Sequence, residues 1–192
     1  MDDNLMVKRK TRKPLLYISM ASMVMLFAAF TSAYIVSKNG SGLAWDVIIL
    51  PTPFFISTIF IVLSSVTMFM ASKAIKVGDT SKMKTFLAAT LVLGIGFAVY
   101  QFIGFNELND MNKYFAGSQS TPASSYIFAI LGMHMAHMAG GLISLLVSFF
   151  NAQSGKYSVE NHLGLELTAI FWHFLDALWI YLYIFLSFSN EL

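Results

Sequence analysis

The sequence contains no cysteine, and charged residues make up only 11% of its 192 positions. The absence of cysteine excludes disulfides, iron–sulfur clusters and thiolate metal sites. Soluble domains carry about 25% charged residues, and several apolar stretches here exceed the roughly 20 residues that span the hydrocarbon of a bilayer. A soluble protein with an unusually apolar core does not need runs of that length. The composition therefore predicts a polytopic membrane protein.

Five long apolar segments alternate with short polar loops, which predicts an all-α membrane bundle of five transmembrane helices. The first segment is longer than the roughly 7–15 apolar residues of a cleavable signal peptide, so we expect a retained anchor. It follows a basic tail at residues 1–14. Without internal repeats, one bundle over residues 1–192 is the simplest architecture. The expected helices cover residues 15–36, 54–74, 86–105, 124–150 and 163–188.

Lysine and arginine are distributed unequally between the two sides of this predicted bundle. The loops at residues 37–53 and 106–123 contain Lys38 and Lys113, and the opposite side has ten cations. Because cytoplasmic loops carry the excess of positive charge, we expect a cytoplasmic N-terminus and, after five crossings, a C-terminus outside. The ten are Lys8, Arg9, Lys10, Arg12, Lys13, Lys73, Lys76, Lys82, Lys84 and Lys156.

The last two predicted helices contain ionisable residues, although a charge at the centre of a membrane helix costs about 2.5–3.5 kcal/mol. Such groups are unlikely to face lipid, so they are expected to point into a protein interior. Residues three, four or seven apart share one helix face. This spacing predicts a lipid-binding or interhelix polar cluster of His134, His137, His162, Glu166, Trp172, His173, Asp176 and Trp179.

Three interpretations of this cluster compete. His134, His137, Glu166 and His173 are a ligand set that suits zinc, copper or iron, and a bis-histidine haem is a variant of that hypothesis. A free-standing transporter is the second, but a proton or ion pathway needs polar groups at successive depths. The first three helices offer few metal ligands and few polar residues for a pathway. Composition favours the third interpretation, a structural cluster that joins the last two helices or binds a lipid headgroup.

The segment from Trp172 to Trp179, Trp-His-Phe-Leu-Asp-Ala-Leu-Trp, closely resembles the last-helix signature of subunit III of the haem–copper (cytochrome c) oxidases. His162-Leu-Gly-Leu-Glu166 resembles the segment before that signature, and Gly132-Met-His-Met-Ala-His137 resembles its paired-histidine element. Weaker similarities lie at residues 20–25, 50–51 and 63–67. The resemblance therefore covers essentially the whole chain.

The resemblance implies an accessory subunit of a respiratory complex, without catalytic residues, haem or copper of its own. Such a subunit packs against the catalytic oxidase subunit I and other oxidase subunits, holds phospholipid in a cleft and supports proton uptake. Electron transfer to oxygen and proton pumping then belong to the complex. The resemblance also implies location in the bacterial plasma membrane.

Two departures from the family pattern shape the expectations for this chain. Many members have seven helices, and this sequence resembles a short form without the first two, which form one wall of the lipid cleft. We therefore expect helices or lipid from elsewhere in the complex to close the cleft. Met23 replaces a family glutamate, and no Glu-Tyr pair follows Gln101. The remaining polar groups suggest that His134 and His137 hydrogen-bond toward the last helix, with Glu166 and His173 as partners.

Overall fold

The computed structural model describes residues 3–40, 45, 48–111, 115–117 and 120–188, with side chains described from Thr11 onward. The described residues form five α-helices. Each is long and apolar enough to cross a membrane, which confirms the predicted all-α fold with five membrane-spanning helices. The helices are α1 (Asp3–Gly40), α2 (Thr52–Lys76), α3 (Thr80–Asp110), α4 (Pro122–Gln153) and α5 (Leu163–Phe188).

The predicted bounds of the last helix are confirmed, whereas the other four helices extend beyond their predicted ends. The difference is largest at α1, which continues through the predicted polar tail and contains Pro14. Apolar runs mark where a helix enters the membrane, but lysine and arginine are good helix formers outside it. The helix therefore begins within the basic tail, before residue 15. The predicted loop residues 41–44 and Lys113 lie outside the described residues.

Four helices form a closed ring in which α2 contacts α3, α3 contacts α4, α4 contacts α5 and α5 contacts α2. The fifth, α1, lies on the outside of this ring, where it contacts α4 and α5. Consequently α1 has the smallest buried share of the five helices, and α5, which touches three others, has the largest. The helix that contains the segment from Trp172 to Trp179 is therefore the most buried helix of the bundle.

One tight turn and two helix caps define where ring helices end and begin. A tight turn at Val77–Asp79 joins α2 to α3, and Gly78 there has a φ of 81°, a conformation that glycine adopts without strain. Asp79 caps α3, and the hydrogen bonds from the side chain and backbone of Lys82 hold the pKa of its carboxyl below the ordinary value of 3.8. At the start of α4, Thr121 and Ser124 form a reciprocal capping box.

Aromatic side chains fill the centre of the ring, and glycines make room for them. Trp172 and Trp179 are both only 1% exposed. A Cβ atom added to Gly94 of α3 would lie 2.7 Å from the Trp172 ring, and one added to Gly141 of α4 would lie 2.6 Å from Leu175. These glycines allow α3 and α4 to approach the large side chains of α5 closely. By contrast, a Cβ at Gly132 would meet no atom within 4 Å.

Candidate functional site

His134 lies in a fully buried aromatic cage at the centre of the bundle. Its ring centroid is 5.2 Å from that of Trp179, 6.2 Å from Phe97 and 6.4 Å from Phe27, so α5, α3 and α1 each supply one wall. Neither ring nitrogen has a hydrogen-bond partner among the described residues. His134 therefore acts as a packing ring within this chain.

His137 makes its contacts on the side of α4 that faces α1. Its Nδ1 lies 2.8 Å from the backbone oxygen of Met133, and its ring centroid is 5.7 Å from that of Phe27. The expected hydrogen bonds from the two histidines to Glu166 and His173 are therefore wrong. The reason is that His134 packs beside Trp179, which lies 13 residues beyond Glu166 and therefore about 20 Å along the helix axis. His173 faces α2 instead, and Phe27 of α1 lies beside both histidines of α4. The sequence contains no signal for that placement.

The indole nitrogens of α5 donate hydrogen bonds to hydroxyl groups of α2. Trp172 Nε1 lies 3.0 Å from Ser64 Oγ, and Trp179 Nε1 lies 3.0 Å from Thr58 Oγ1. A buried indole N–H normally needs a partner, and these hydroxyls satisfy both donors inside the hydrocarbon layer. Each tryptophan thus combines a large buried ring with one directional contact between helices.

His173 and Asp176 lie on the side of α5 that faces α2. The Nδ1 atom of His173 is 2.7 Å from Ser65 Oγ, and Asp176 Oδ2 lies 4.0 Å from the same nitrogen. The Asp176 residue is only 3% exposed, whereas the His173 side chain is 36% exposed. The pair therefore spans from the interior of the bundle to its surface.

Glu166 is paired with a residue that sequence reasoning did not consider. The Nζ atom of Lys13 on α1 lies 2.6 Å from Glu166 Oε1, and both side chains are 29% exposed. This ion pair connects the basic end of α1 to the first turn of α5. His162, just before α5, has its Nδ1 3.2 Å from the carbonyl oxygen of Ser158 in the preceding loop.

A cavity of about 230 Å³ lies between α2 and α5 and brings three of the predicted residues together. His162, Glu166 and His173 line it, beside Ser72, Lys73 and Lys76 of α2. The predicted cluster is thus divided. These three residues face the cavity, while His134, Trp172 and Trp179 face the core, Asp176 lies between the two groups and His137 faces α1.

Sequence reasoning missed the side of α2 that faces α5. Thr58, Ser65 and Ser72 are seven residues apart and therefore share one helix face. The first contacts Trp179, the second contacts His173 and the third lines the cavity. Hydroxyl groups repeated every seven residues in an apolar helix were the available signal, because buried polar groups are almost always hydrogen-bonded.

The four candidate metal ligands are not assembled in the folded chain. His134 is surrounded by aromatic rings, His173 contacts Ser65, and Glu166 contacts Lys13. Within the described ranges, no three His, Asp or Glu residues are placed to hold a metal ion. The geometry gives these residues roles in packing, in pairing between helices and in lining a cavity.

Comparison with known proteins shows which family this chain resembles. The family model for "Cytochrome c oxidase subunit III" matches residues 6–190 of this chain. A probable cytochrome c oxidase subunit 3 of Rickettsia prowazekii is 35% identical over 133 residues, which are 68% of this chain and 46% of the relative. The chain thus spans about half the length of the Rickettsia relatives that it matches.

Two further relatives extend the similarity. The cytochrome c oxidase subunit 3 of Bacillus sp. (strain PS3) is 27% identical over 162 residues, covering 82% of this chain and 76% of the relative. That of Spodoptera frugiperda is 31% identical over 129 residues, covering 67% of this chain and 84% of the relative. The similarity therefore reaches both bacterial and insect proteins.

Proposed function

Because this chain belongs to the cytochrome c oxidase subunit III family, we propose that it is the non-catalytic accessory subunit of a respiratory haem–copper oxidase complex. In this role it stabilises the catalytic subunit I, organises phospholipid and supports proton uptake during oxygen reduction. Haem and copper belong to the partner subunits, and this chain holds no cofactor other than lipid. The complex lies in the bacterial plasma membrane, with the basic N-terminus in the cytoplasm.

The observation that carries this proposal is the use of the polar residues of α5. Trp172 and Trp179 donate to hydroxyls of α2, and Glu166 pairs with Lys13 of α1. A nucleophile, general base or metal site needs several reactive groups directed at one reacting atom. Here the groups are directed at neighbouring helices, which supports a role in assembly.

The arrangement of α1 supports the expectation that other components complete the lipid-binding surface. This helix packs on one side of the ring, and most of its length is exposed, including Leu15, Ile18, Met25 and Val36. We propose that helices or lipid from elsewhere in the complex cover the open pocket between α1 and α5, which is lined by Phe27, Phe174 and Tyr181. A solved complex in which α5 faces only bulk lipid, without an ordered lipid or partner helix, contradicts this part of the proposal.

Replacement of His173 or Glu166 by leucine tests the proposed function. We expect His173→Leu and Glu166→Leu to reduce the amount of this chain that co-purifies with the haem-bearing subunits, while turnover per haem changes much less. The physical reason is that His173→Leu leaves Ser65 without its partner, at a cost of about 1 kcal/mol. Glu166→Leu removes the ion pair with Lys13 that joins α5 to α1. The measurements are the ratio of this chain to haem in the purified complex and the rate of oxygen consumption per haem.

Val92→Leu on α3 is the control, because Val92 is 68% exposed. Both valine and leucine are apolar, so this change removes no polar contact. Normal retention of the leucine variants together with abolished turnover contradicts an accessory role and favours a proton pathway. Elemental analysis and a visible spectrum of the isolated chain give a second test. Metal or haem bound to the isolated chain contradicts the proposal.

A further inference from the structure

The two halves of α1 pack differently against the ring. The C-terminal half contains three buried side chains, Phe27, Thr31 and Tyr34. Tyr34 is only 1% exposed, and its ring lies edge-on to those of Trp45, Tyr126 and Phe185. By contrast, every side chain of residues 11–26 is at least partly exposed. The packing that holds α1 is therefore concentrated in its C-terminal half.

Hydrogen bonds reinforce the same half of α1. Thr31 Oγ1 lies 3.0 Å from the hydroxyl of Tyr181 on α5, and Ser37 Oγ lies 2.9 Å from the hydroxyl of Tyr126 on α4. These bonds join α1 to both of the helices that it contacts. Residues 27–37 therefore form an anchor that fixes one half of α1 to the ring.

The other half of α1, residues 11–26, forms an arm that is joined to α5 by an ion pair near its N-terminal end. Lys13 Nζ lies 2.6 Å from Glu166 Oε1. An ion pair between partly exposed side chains contributes little to stability, because its charges are partly solvated. Between this pair and the anchor, an apolar cavity of about 320 Å³ is lined by Val24 and Ala28 of α1 and by Phe174 and Ala177 of α5. The packing of α1 on α5 is therefore incomplete at this level.

A transmembrane helix loses little free energy when it leaves a contact of this kind. Lipid tails are as apolar as leucine, so packing and hydrogen bonds, rather than the hydrophobic effect, hold membrane helices together. A helix also satisfies its backbone hydrogen bonds internally, so the arm is stable in lipid without the ring. At about 1.5 Å per residue, Lys13 lies about 27 Å along the helix from Thr31. A tilt of about 10° at the anchor therefore moves Lys13 by about 5 Å, which breaks the ion pair.

We propose that the arm swings away from α5 while the anchor stays on the ring, and that the Lys13–Glu166 pair is the latch that keeps the arm closed. Because the latch is ionic, a charged group that pairs with Lys13 or Glu166 releases the arm. The open arm exposes the first turns of α5 to other membrane helices, and the four helices of the ring keep their contacts. This movement lies within the chain and does not depend on the proposed accessory role.

Distances between two spin labels on the full chain in lipid nanodiscs test this movement. The sequence contains no cysteine, so two introduced cysteines are the only labelled positions. Ile18→Cys/Val147→Cys measures the arm against α4, and Val36→Cys/Met133→Cys measures the anchor against the same helix. All four positions are exposed, so the labels disturb no buried contact. We expect two distance populations, closed and open, for the arm pair and one population for the anchor pair.

Removal of the charge on Glu166 is expected to open the latch. Glu166→Gln should raise the ratio of open to closed populations about two- to fivefold, the factor that corresponds to an ion pair of partly exposed side chains. The unchanged latch should respond in the same direction to 1 M salt, where the Debye length is about 3 Å. Glu160→Gln is the matched control, because Glu160 is exposed in the loop before α5 and has no ion pair in the described part of the chain. It is expected to leave the ratio unchanged.

An exchange of the two charges separates an ionic latch from a loss of packing. Glu166→Lys places two cations at the latch and is expected to open the arm further, whereas Lys13→Glu/Glu166→Lys restores an opposite pair and should return the ratio toward that of the unchanged chain. A charge-exchanged chain that is as open as Glu166→Lys overturns the latch. The salt measurement needs no substitution at the latch, so it remains decisive if these variants do not fold. One narrow arm distance that 1 M salt does not change, or equal broadening of both label pairs, overturns the proposal.

Discussion

The core-facing and cavity-facing sides of α5 use polar residues in different ways. On the core side, Trp172 and Trp179 are almost fully buried and each donates one hydrogen bond to a single hydroxyl. On the cavity side, Glu166 and His173 are partly exposed, and both line the cavity between α2 and α5. An ionisable residue in a membrane helix therefore need not indicate chemistry, because one side of α5 packs the core while its other side lines a cavity.

The largest expected effect concerns the core side. Trp179→Ala should lower the free energy of unfolding by about 3–5 kcal/mol, as truncation of a buried large aromatic side chain does. The ring contacts Phe97, Phe54 and His134, and the change leaves Thr58 without its donor. The measurement is reversible unfolding in detergent. Phe188→Ala at an exposed position of α5 is the control, and an equal loss there contradicts a special role for the core side.

A smaller loss is expected where the backbone of α3 approaches Trp172. Gly94→Ala should cost about 1–3 kcal/mol, because the added Cβ would lie 2.7 Å from a rigid ring and overpacking forces shifts. Gly132→Ala on α4 is the matched control, since no atom lies within 4 Å of its added Cβ. Thermal unfolding of both variants gives the comparison. The same stability for both indicates that the contact in the core is not tight.

Opposite signs are expected for the buried His134 and the partly exposed His173. His134→Leu should raise the free energy of unfolding by about 1 kcal/mol, because leucine removes two buried nitrogens without partners and keeps an apolar side chain among the rings. His173→Leu should lower it by about 1 kcal/mol, since Ser65 loses its partner. Chemical unfolding of the isolated chain measures both. A loss at His134 equal to that at His173 shows that a hydrogen bond also holds His134.

The smallest effect is expected at the edge of the cavity. Glu166→Gln should change the free energy of unfolding by less than about 1 kcal/mol, because partly exposed ion pairs contribute little. The contribution of the Lys13–Glu166 pair should also decrease as salt is added, because the Debye length is only about 3 Å at 1 M. Unfolding at low and high ionic strength measures this. A loss comparable to that of Trp179→Ala contradicts the distinction between the two sides.

Much of the fold was predictable because the membrane imposes it. A chain that crosses hydrocarbon must satisfy its backbone polar groups within each segment, so long apolar runs indicate helices, and α5 was predicted at its observed residues. The start of α1 was not, since Lys13 and its neighbours continue the helix beyond the membrane. Spacing along α4 and α5 showed which candidate residues share a helix face, but their partners depended on which helices become neighbours.

The sequence by itself determined that this is a membrane protein of five helices and that it belongs to the cytochrome c oxidase subunit III family, because run length and a dense aromatic signature are local properties. Only the tertiary structure decided that α1 lies over the contact between α4 and α5 and that Phe27 packs against both paired histidines. It also decided that lysines of α2 and His162 line one cavity. The physical reason is that helix faces are encoded locally by spacing. The choice of neighbours is made by the packing of large side chains such as Trp172 against distant glycines such as Gly94.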